Sequence, residues 1–579
     1  MTDGPADGRT GTVAEDRPPV PAAADQPVTE PARPPWRPTT RLLARLLEVL
    51  AVIPVITTLL EVLAGQRLQY TDYWYVLLRI TNPDGSLHIA GMRVLQNEHP
   101  LMLPSFLYWL DARLADGDNR ILGVLVVLIA ALTVLLLRFA LPKSLPPLLR
   151  AGIVVAASLL VFSPHGLHNF VRAMSGSAWL TANLLVIGAL LLAYHRKWWL
   201  AWLLGLLACM SYGTAFAVWP AFALMATLGR EAWWKRLVPL GVGVLVVLTW
   251  IGLKPAVDPG GTPTNDLASL LYTWFAVVGH LWTSESSGVA VLAGVAVVGI
   301  YCWLATTTVG RDRSLRFWWA LALHAFVASA MIAAARIDFG SDFGLSSRYT
   351  SLSVLMAVPA IVLLAVYMHR VLGERAQKLA IGVLAIGLLG YTLGSPAAAT
   401  IRSQNSEHQL EGIALRAGLG DSYGATLPPA KALVPRLKAM GHYPFSDTFT
   451  LGCGGPELGS TIDMNAMTPL PPADSRNPRQ AAGSVDDIES KNDAVIIRGW
   501  ATGVADPVRC ALVVDPRGKV TGGGLTHLAR PDVTNRLSGI KPDVGFSVIA
   551  PHEAAGRVVI ILSSGSMRWL EPKAPDSGK

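Results

Sequence analysis

The sequence carries little charge for its length. Only 15% of its 579 residues are charged, and 52% are hydrophobic. Soluble domains carry about 25% charged residues, so the composition argues against an ordinary soluble protein and predicts a polytopic membrane protein. The net charge of +8 lies mostly in short basic clusters beside apolar runs. Such clusters indicate membrane topology, and nucleic acid is not an expected partner.

Cysteines and nucleotide-binding motifs are also scarce. The four cysteines are too few for a disulfide scaffold, and none has the CxxC spacing of a zinc site. No Walker A motif is present, which argues against a P-loop ATPase. GxGxxG after a strand, HExxH and GxSxG are absent as well. Cys453 and Cys510 lie in the polar C-terminal third, where an oxidising compartment would allow them to pair.

Long apolar runs dominate the rest of the chain. A membrane-spanning helix needs about 20 apolar residues, and the interrupted stretch 199–229 is too long for one span. Because "SYGT" (211–214) breaks it, we predict two short helices there and about eleven spans in total. The other predicted spans are 43–64, 121–141, 147–165, 177–195, 237–253, 286–308, 317–336, 348–368 and 378–396.

Arginine and lysine set the predicted orientation. Arg37, Arg41 and Arg45 at the first span place the N-terminus in the cytoplasm of an inner (plasma) membrane protein by the positive-inside rule. With two helices at 199–229, every second loop then carries a basic cluster. A single span at 199–229 would break this alternation. The loop 65–120 and the C-terminal third are therefore predicted to lie outside the cytoplasm.

The predicted fold class is mainly α, with a polytopic core followed by a small β-sandwich. Short strand-like runs such as "AVIIRGWA" (494–501), separated by turn residues, predict the sandwich. The predicted divisions are a disordered cytoplasmic tail (1–36), a transmembrane catalytic core (37–397), an extracytoplasmic mixed linker region (398–484) and an extracytoplasmic β-sandwich (485–579).

The first external loop concentrates ionisable residues. Asp72 in "TDYW" is either a general base for a sugar hydroxyl or an interfacial aspartate beside an aromatic belt that includes Tyr73 and Trp74. Glu98 and His99 in "NEHP" (97–100) form a second titratable pair. The predicted catalytic residues are Asp72, Glu98 and His99, and Arg79 and Arg93 of the same loop are predicted to bind substrate.

Two further external segments supply candidate binding residues. Arg336 and Arg348 flank "RIDFGSDFGLSSR", and a guanidinium can bind a phosphate through two hydrogen bonds; plain interfacial snorkelling is the alternative. Asp338 and Asp342 between them suit a divalent cation such as Mg²⁺ or Mn²⁺, but the cofactor stays unknown. His165, His168, Asn169 and Arg172 in "SPHGLHNFVRAMSG" (163–176) predict pocket lining, since no third ligand supports a metal site.

These motifs resemble those of the GT-C class of integral-membrane glycosyltransferases. The sequence also resembles bacterial membrane proteins that have a "D-x-W … NEHR" loop and a later "SRY" before a helix, here Asp72-Tyr73-Trp74, "NEHP" (97–100) and Ser347-Arg348-Tyr349, and the resemblance covers roughly residues 40–400. Pro100 departs from the pattern, which has arginine there. The layout is also similar to actinobacterial arabinofuranosyltransferases, which join a multi-span core to an external β-rich domain.

The resemblance implies a hexosyl- or pentosyltransferase that takes a sugar from a polyprenyl-phosphate donor in the lipid bilayer. It further implies a cell-envelope glycan as acceptor, an acidic catalytic residue at Asp72 and a binding role for Tyr349. A polysaccharide polymerase or acyltransferase on a similar scaffold stays open. A lipid-linked glycan transporter is less expected, because transporters bind substrate near the midplane between repeated halves, and the sequence shows no evident repeat.

Overall fold

The computed structural model describes residues 38–253, 266–423, 427–472, 480–503, 505–536 and 540–570. The predicted tail 1–36 lies outside these ranges. The helices are α1 Pro38–Val49, α2 Val52–Ala64, α3 Asp72–Ile80, α4 Met102–Leu114, α5 Asn119–Ala140, α6 Pro147–Val161, α7 Leu167–Val171, α8 Ala173–Tyr194, α9 Trp198–Cys209, α10 Val218–Leu228, α11 Trp233–Leu253, α12 Leu267–Gly279, α13 Ser287–Thr306, α14 Arg316–Arg336, α15 Thr350–Leu372, α16 Leu379–Thr392, α17 Ser395–Gln404, α18 Gln409–Arg416, α19 Gly420–Tyr423, α20 Ala430–Met440 and α21 Pro531–Arg536.

A multi-pass membrane protein is supported by the helices. Within the described ranges, eight helical segments are long and apolar enough to cross a membrane, and three apolar helical segments are shorter. A chain in hydrocarbon must pair its backbone groups internally, which helices do. The predicted break in 199–229 is present, because α9 and α10 are separated by a 3₁₀ turn at Gly213–Ala217. The total of about eleven spans stays a prediction.

The helix α12 was not predicted, since the sequence analysis expected no span between 253 and 286. It packs across the first turns of α13, where Gly279 lies against Ala290 and Gly294. A Cβ at Gly279 would come within 1.9 Å of the Ala290 carbonyl oxygen, so only glycine allows this close crossing. The helix was missed because its apolar segment, Leu267–Trp282, is shorter than a membrane span.

Basic loops meet at one end of the helical bundle. Arg316 donates to the Tyr194 carbonyl at 2.8 Å, Arg196 pairs with Glu231 at 3.2 Å, and Arg370 pairs with Asp312. The loop 65–118 and the segments 163–172 and 337–349 connect the opposite ends of the helices. The bundle therefore has one basic end and one end that carries the candidate site residues.

Helix α20 packs directly on α3 of the loop 65–118, and Gly412 of α18 lies against Leu68 of the same loop. Tyr443 N–H donates to the Asp116 carbonyl at 2.7 Å, and the Tyr73 hydroxyl lies 3.1 Å from His442 Nε2. Residues 395–423 and 427–449, most of which the sequence analysis assigned to a mixed linker, thus form a helical cap over the loop. Tyr73 and Trp74 are fully buried beneath this cap, so the interpretation of these two residues as an interfacial aromatic belt is wrong.

The C-terminal strands form one eight-stranded sheet, so the prediction of a two-sheet sandwich is wrong. The strand order is β1-β8-β7-β4-β5-β6-β3-β2, and every described pair is antiparallel except β1 with β8. The strands are β1 Thr468–Pro469, β2 Ala482–Lys491, β3 Ala494–Thr502, β4 Val508–Val514, β5 Val520–Leu528, β6 Gly545–Pro551, β7 Arg557–Leu562 and β8 Met567–Leu570.

Both faces of this sheet are buried, which explains why a single sheet suffices. The sheet curls into a half-barrel until Gly483 of β2 lies against Leu570 of β8, so one face packs on itself around residues such as Val495 and Ile497. The other face packs against α18 and the segment 451–467, to which a disulfide between Cys453 and Cys510 ties β4. Strands β3, β4, β6 and β7 are accordingly buried along almost their whole length, as strands covered on both faces are.

Candidate functional site

A polar cavity lies at the end of the bundle opposite the basic loops. It encloses about 710 Å³ between the loop 65–118, the start of α8 and the 3₁₀ turn Ser347–Tyr349. Its lining residues are Tyr70, Thr71, Asp72, Gln96, Asn97, His99, Leu101, His168, Arg172, Met174, Ser175, Ala178, Trp179, Tyr212, Arg336 and Arg348. Five of the predicted site residues therefore share one cavity: Asp72, His99, His168, Arg336 and Arg348.

Asp72 is the half-buried acid of this cavity. It is the first residue of α3, where the helix dipole favours a negative charge. Gln96 Nε2 and Asn97 Nδ2 donate to its two carboxylate oxygens at 3.5 and 3.3 Å. Two long amide contacts orient the carboxylate without neutralising it, which suits a group that must accept a proton.

A tight turn places the "NEHP" residues. Gln96 and His99 exchange backbone hydrogen bonds of 3.0 and 2.8 Å, and Asn97 and Glu98 between them have φ values of +44° and +73°. Two successive residues with positive φ are typical of a mirror-image two-residue turn, which asparagine tolerates and glutamate does not favour. The turn presents Asn97 to the polar cavity and Glu98 to a neighbouring apolar cavity.

Arg348 belongs to the opposite wall. Its segment is fixed by "HGLHN": the Ser347 hydroxyl donates to the His165 carbonyl, and Asn169 Nδ2 donates to the Arg348 carbonyl at 3.1 Å. Arg348 Nε donates to Ser346 Oγ at 3.1 Å, and its terminal nitrogens form no hydrogen bond with any described residue. Asn169 therefore holds the backbone of this wall and does not itself line the cavity.

Arg172, which the sequence analysis grouped with His165, His168 and Asn169 as pocket lining, also lines this cavity. Its Nη2 donates to Asn405 Oδ1 at 2.7 Å, and its guanidinium lies 5.0 Å from the centre of the Tyr70 ring. It precedes α8 by one residue, so it stands at the positive end of a long helix dipole. The signal was its place four residues after His168, in a segment already identified as external.

The charges of this cavity are unbalanced. Arg172 and Arg348 form no ion pair within the described ranges, and Asp72 is the only acid among the lining residues. Burial and the nearby Arg336 and Arg348 lower the pKa of His99 to about 3, so this imidazole is neutral near pH 7. Unpaired guanidiniums away from bulk water are costly, so the cavity favours an anionic ligand.

The neighbouring apolar cavity shares four residues with the polar one: His99, Trp179, Tyr212 and Arg336. It encloses about 530 Å³, and its remaining lining residues are Glu98, Gly213, Thr214, Phe216, Trp250, Met331, Ile332, Ala335 and Tyr349. Stacked rings separate the two cavities, since His99 lies 4.1 Å from Tyr212, which lies 4.2 Å from Trp179. This arrangement accommodates a ligand with a polar head and an apolar chain.

The remaining predicted site residues lie elsewhere. Glu98 and Tyr349 line only the apolar cavity, and Trp250 Nε1 donates to the Glu98 carbonyl at 2.6 Å. Arg79 lies behind Gln96 and lines neither cavity; its Nη1 donates to Gln96 Oε1 at 3.0 Å. Burial lowers the pKa of this guanidinium.

Two others also line neither cavity. Arg93 is exposed on a 3₁₀ turn. His165 is buried against His280, with ring centres 5.7 Å apart.

The described residues contain no group of three or more His, Cys, Asp or Glu side chains placed to hold a metal ion. Asp338 is exposed, and nothing in its position assigns it a cation. Compared with protein-family models and with curated proteins, the sequence matches none.

Proposed function

We propose that this protein is a membrane glycosyltransferase that moves a sugar from a polyprenyl-phosphate donor to a cell-envelope glycan acceptor on the extracytoplasmic face. The observation that carries the proposal is the pair of joined cavities. One contains a carboxylate and the guanidiniums of Arg172 and Arg348, which form no ion pair within the described ranges, and the other is lined mainly by apolar side chains. A prenyl phosphate has this same division between an anionic head and a hydrocarbon chain.

In this reaction the acceptor hydroxyl attacks the anomeric carbon of the donor sugar. Asp72 accepts the hydroxyl proton as the new C–O bond forms, and the bond between the anomeric carbon and the phosphate oxygen breaks. The electron pair leaves with the prenyl phosphate, whose added negative charge is stabilised by Arg172 and Arg348. Gln96 and Asn97 keep the Asp72 carboxylate turned toward the cavity.

Two features support the extracytoplasmic assignment. The Cys453–Cys510 disulfide belongs to the C-terminal part of the chain, and such bonds persist mainly in oxidising compartments. The loops at the other end of the bundle are basic, as cytoplasmic loops are. Both support an outer position for the cavities.

The test is a transfer assay with purified protein in lipid nanodiscs. Synthetic farnesyl-phosphate-linked pentoses and hexoses are offered with short envelope oligosaccharides, and farnesyl phosphate release and the extended glycan are measured by mass spectrometry. We expect both products from at least one donor. Acylation of the oligosaccharide, or passage of an intact lipid-linked glycan across proteoliposomes without sugar transfer, would instead support an acyltransferase or a transporter.

A further inference from the structure

The cationic wall of the polar cavity is tied to the helical cap. Arg172 lies on the membrane core side, whereas its hydrogen-bond acceptor Asn405 follows α17 in the cap. Asn405 is buried, and its Oδ1 atom is the only acceptor that the Arg172 side chain contacts among the described residues. The guanidinium is therefore held by the cap, whereas the other residues that line the cavity belong to the membrane core and its loops.

A second contact from the cap supports the same guanidinium. Tyr70 lies beneath Arg172 and stacks on His408, with ring centres 3.9 Å apart and planes inclined by 10°. His408 Nε2 lies 3.0 Å from the Gln69 carbonyl oxygen, which fixes this ring beside the first loop. Arg172 is thus held between a hydrogen-bond acceptor and an aromatic face, and the cap supports both contacts.

We infer that Asn405 is a positioning residue for phosphate binding, acting by orienting Arg172 toward the head group of a prenyl phosphate. This inference rests on the proposed function, because it assigns the ligand of the same cavity. Arg172 Nη2 is occupied by Asn405, which leaves Nη1 available to a phosphate oxygen. Without the acceptor, the long side chain regains its rotamer freedom, and binding must offset that entropy.

The experiment measures the affinity of the full-length protein for farnesyl phosphate in nanodiscs. Asn405→Leu removes the acceptor at similar size, and we expect it to weaken binding about tenfold, as loss of one hydrogen bond to a charged group does. Asn405→Gln keeps a neutral amide acceptor at this position and should bind farnesyl phosphate more tightly than Asn405→Leu does. Ser406→Ala, at an exposed neighbouring position, is the matched control and should change nothing.

A double-mutant cycle separates positioning from a general structural role. If Asn405 acts through Arg172, Asn405→Leu should have no further effect in an Arg172→Ala background, because contacting residues are not additive. An additive loss would show that Asn405 acts by another route and would overturn the inference. Equal affinity of wild type and Asn405→Leu for farnesyl phosphate would overturn it as well.

Controls with other ligands distinguish this inference from the proposed function. Farnesol tests the chain alone, and inorganic phosphate tests the head group alone. Failure of the wild-type protein to bind farnesyl phosphate would overturn both proposals. Binding that Arg172→Ala weakens and Asn405→Leu leaves intact would overturn only the positioning role, and equal affinity for free phosphate and farnesyl phosphate would assign the cavity to a soluble anion.

Discussion

The polar and apolar cavities share a wall of stacked rings, yet they contain different acids from the same loop. Asp72 faces the polar cavity and receives two amide N–H groups, whereas Glu98 lines the apolar one. The difference arises from the turn at Asn97-Glu98, whose positive φ values direct adjacent side chains to different cavities. Nearness in sequence therefore does not place two acids in one reaction.

Asp72→Asn should have the largest effect on sugar transfer, because it removes the only acid among the described residues that line the polar cavity. Sugar transfer should fall about 10²- to 10⁴-fold, the usual contribution of general base catalysis. Affinity for farnesyl phosphate should not weaken, since a negative charge near the phosphate site is lost. Release of farnesyl phosphate gives the rate, and equilibrium binding gives the affinity.

Asp84→Asn is the matched control for this change. Asp84 is an exposed acid of the same loop that bonds only to Ser86, so its variant should transfer sugar normally. Transfer by Asp72→Asn within about threefold of wild type would be far below the contribution of a general base and would remove Asp72 from that role.

Met331→Trp tests the apolar cavity by filling it with a larger side chain. Met331 is a partly buried lining residue of α14, and a larger side chain there should exclude the prenyl chain. We expect affinity for farnesyl phosphate to fall about tenfold, since each buried CH₂ contributes about 0.8 kcal/mol. Affinity for inorganic phosphate should stay unchanged.

Ala334→Trp is the control, because Ala334 is exposed on the same helix and lines neither cavity. If Met331→Trp weakened inorganic phosphate binding as much as farnesyl phosphate binding, the two cavities would not act separately. If it weakened neither, the hydrocarbon chain would lie elsewhere.

Much of the helical architecture follows from composition. Apolar length predicted the membrane character, and the polar break "SYGT" predicted the separation of α9 from α10. The sandwich prediction was wrong because continuous apolar strands do not reveal what covers each face. Here one face is covered by α18, and the other by the curl of the sheet itself.

The candidate site was only partly accessible to sequence reasoning. Positive-inside reasoning grouped Asp72, His99 and Arg348 at one membrane face, and the structure brings these three into one cavity. Sequence could not show how Arg172 is held in the cavity, because its hydrogen-bond acceptor Asn405 lies 233 positions away. Nor could it separate Glu98 from Asp72, since that separation depends on backbone φ angles.

Glu98→Gln should have a small effect. The sequence interpretation ranked Glu98 beside Asp72 as a catalytic acid, but its position in the apolar cavity predicts transfer within about threefold of wild type, well below the range of a lost general base. The rate of farnesyl phosphate release checks this. A loss comparable with that of Asp72→Asn would show that the turn rearranges on substrate binding and that the two acids act together.

His99, which belongs to both cavities, gives the smallest expected effect, on stability. Its pKa is about 3 in the folded protein and about 6.5 when unfolded. Below the unfolded pKa the unfolded chain binds a proton that the folded protein does not, so the free energy of unfolding falls as the pH drops from 6.5 toward 3. Between about pH 7.5 and pH 5.5 this amounts to about 1.4 kcal/mol. His99→Gln cannot titrate, so its thermal unfolding midpoint should fall less across that interval than the wild-type midpoint, by on the order of 1–2 °C for a chain of this size.

His88→Gln is the control, because His88 is exposed in the same loop and should leave the wild-type pH dependence intact. The same pH dependence in His99→Gln and wild type would mean that His99 is accessible to protons in the folded state, and that the stacked rings do not seal the polar cavity from the apolar one.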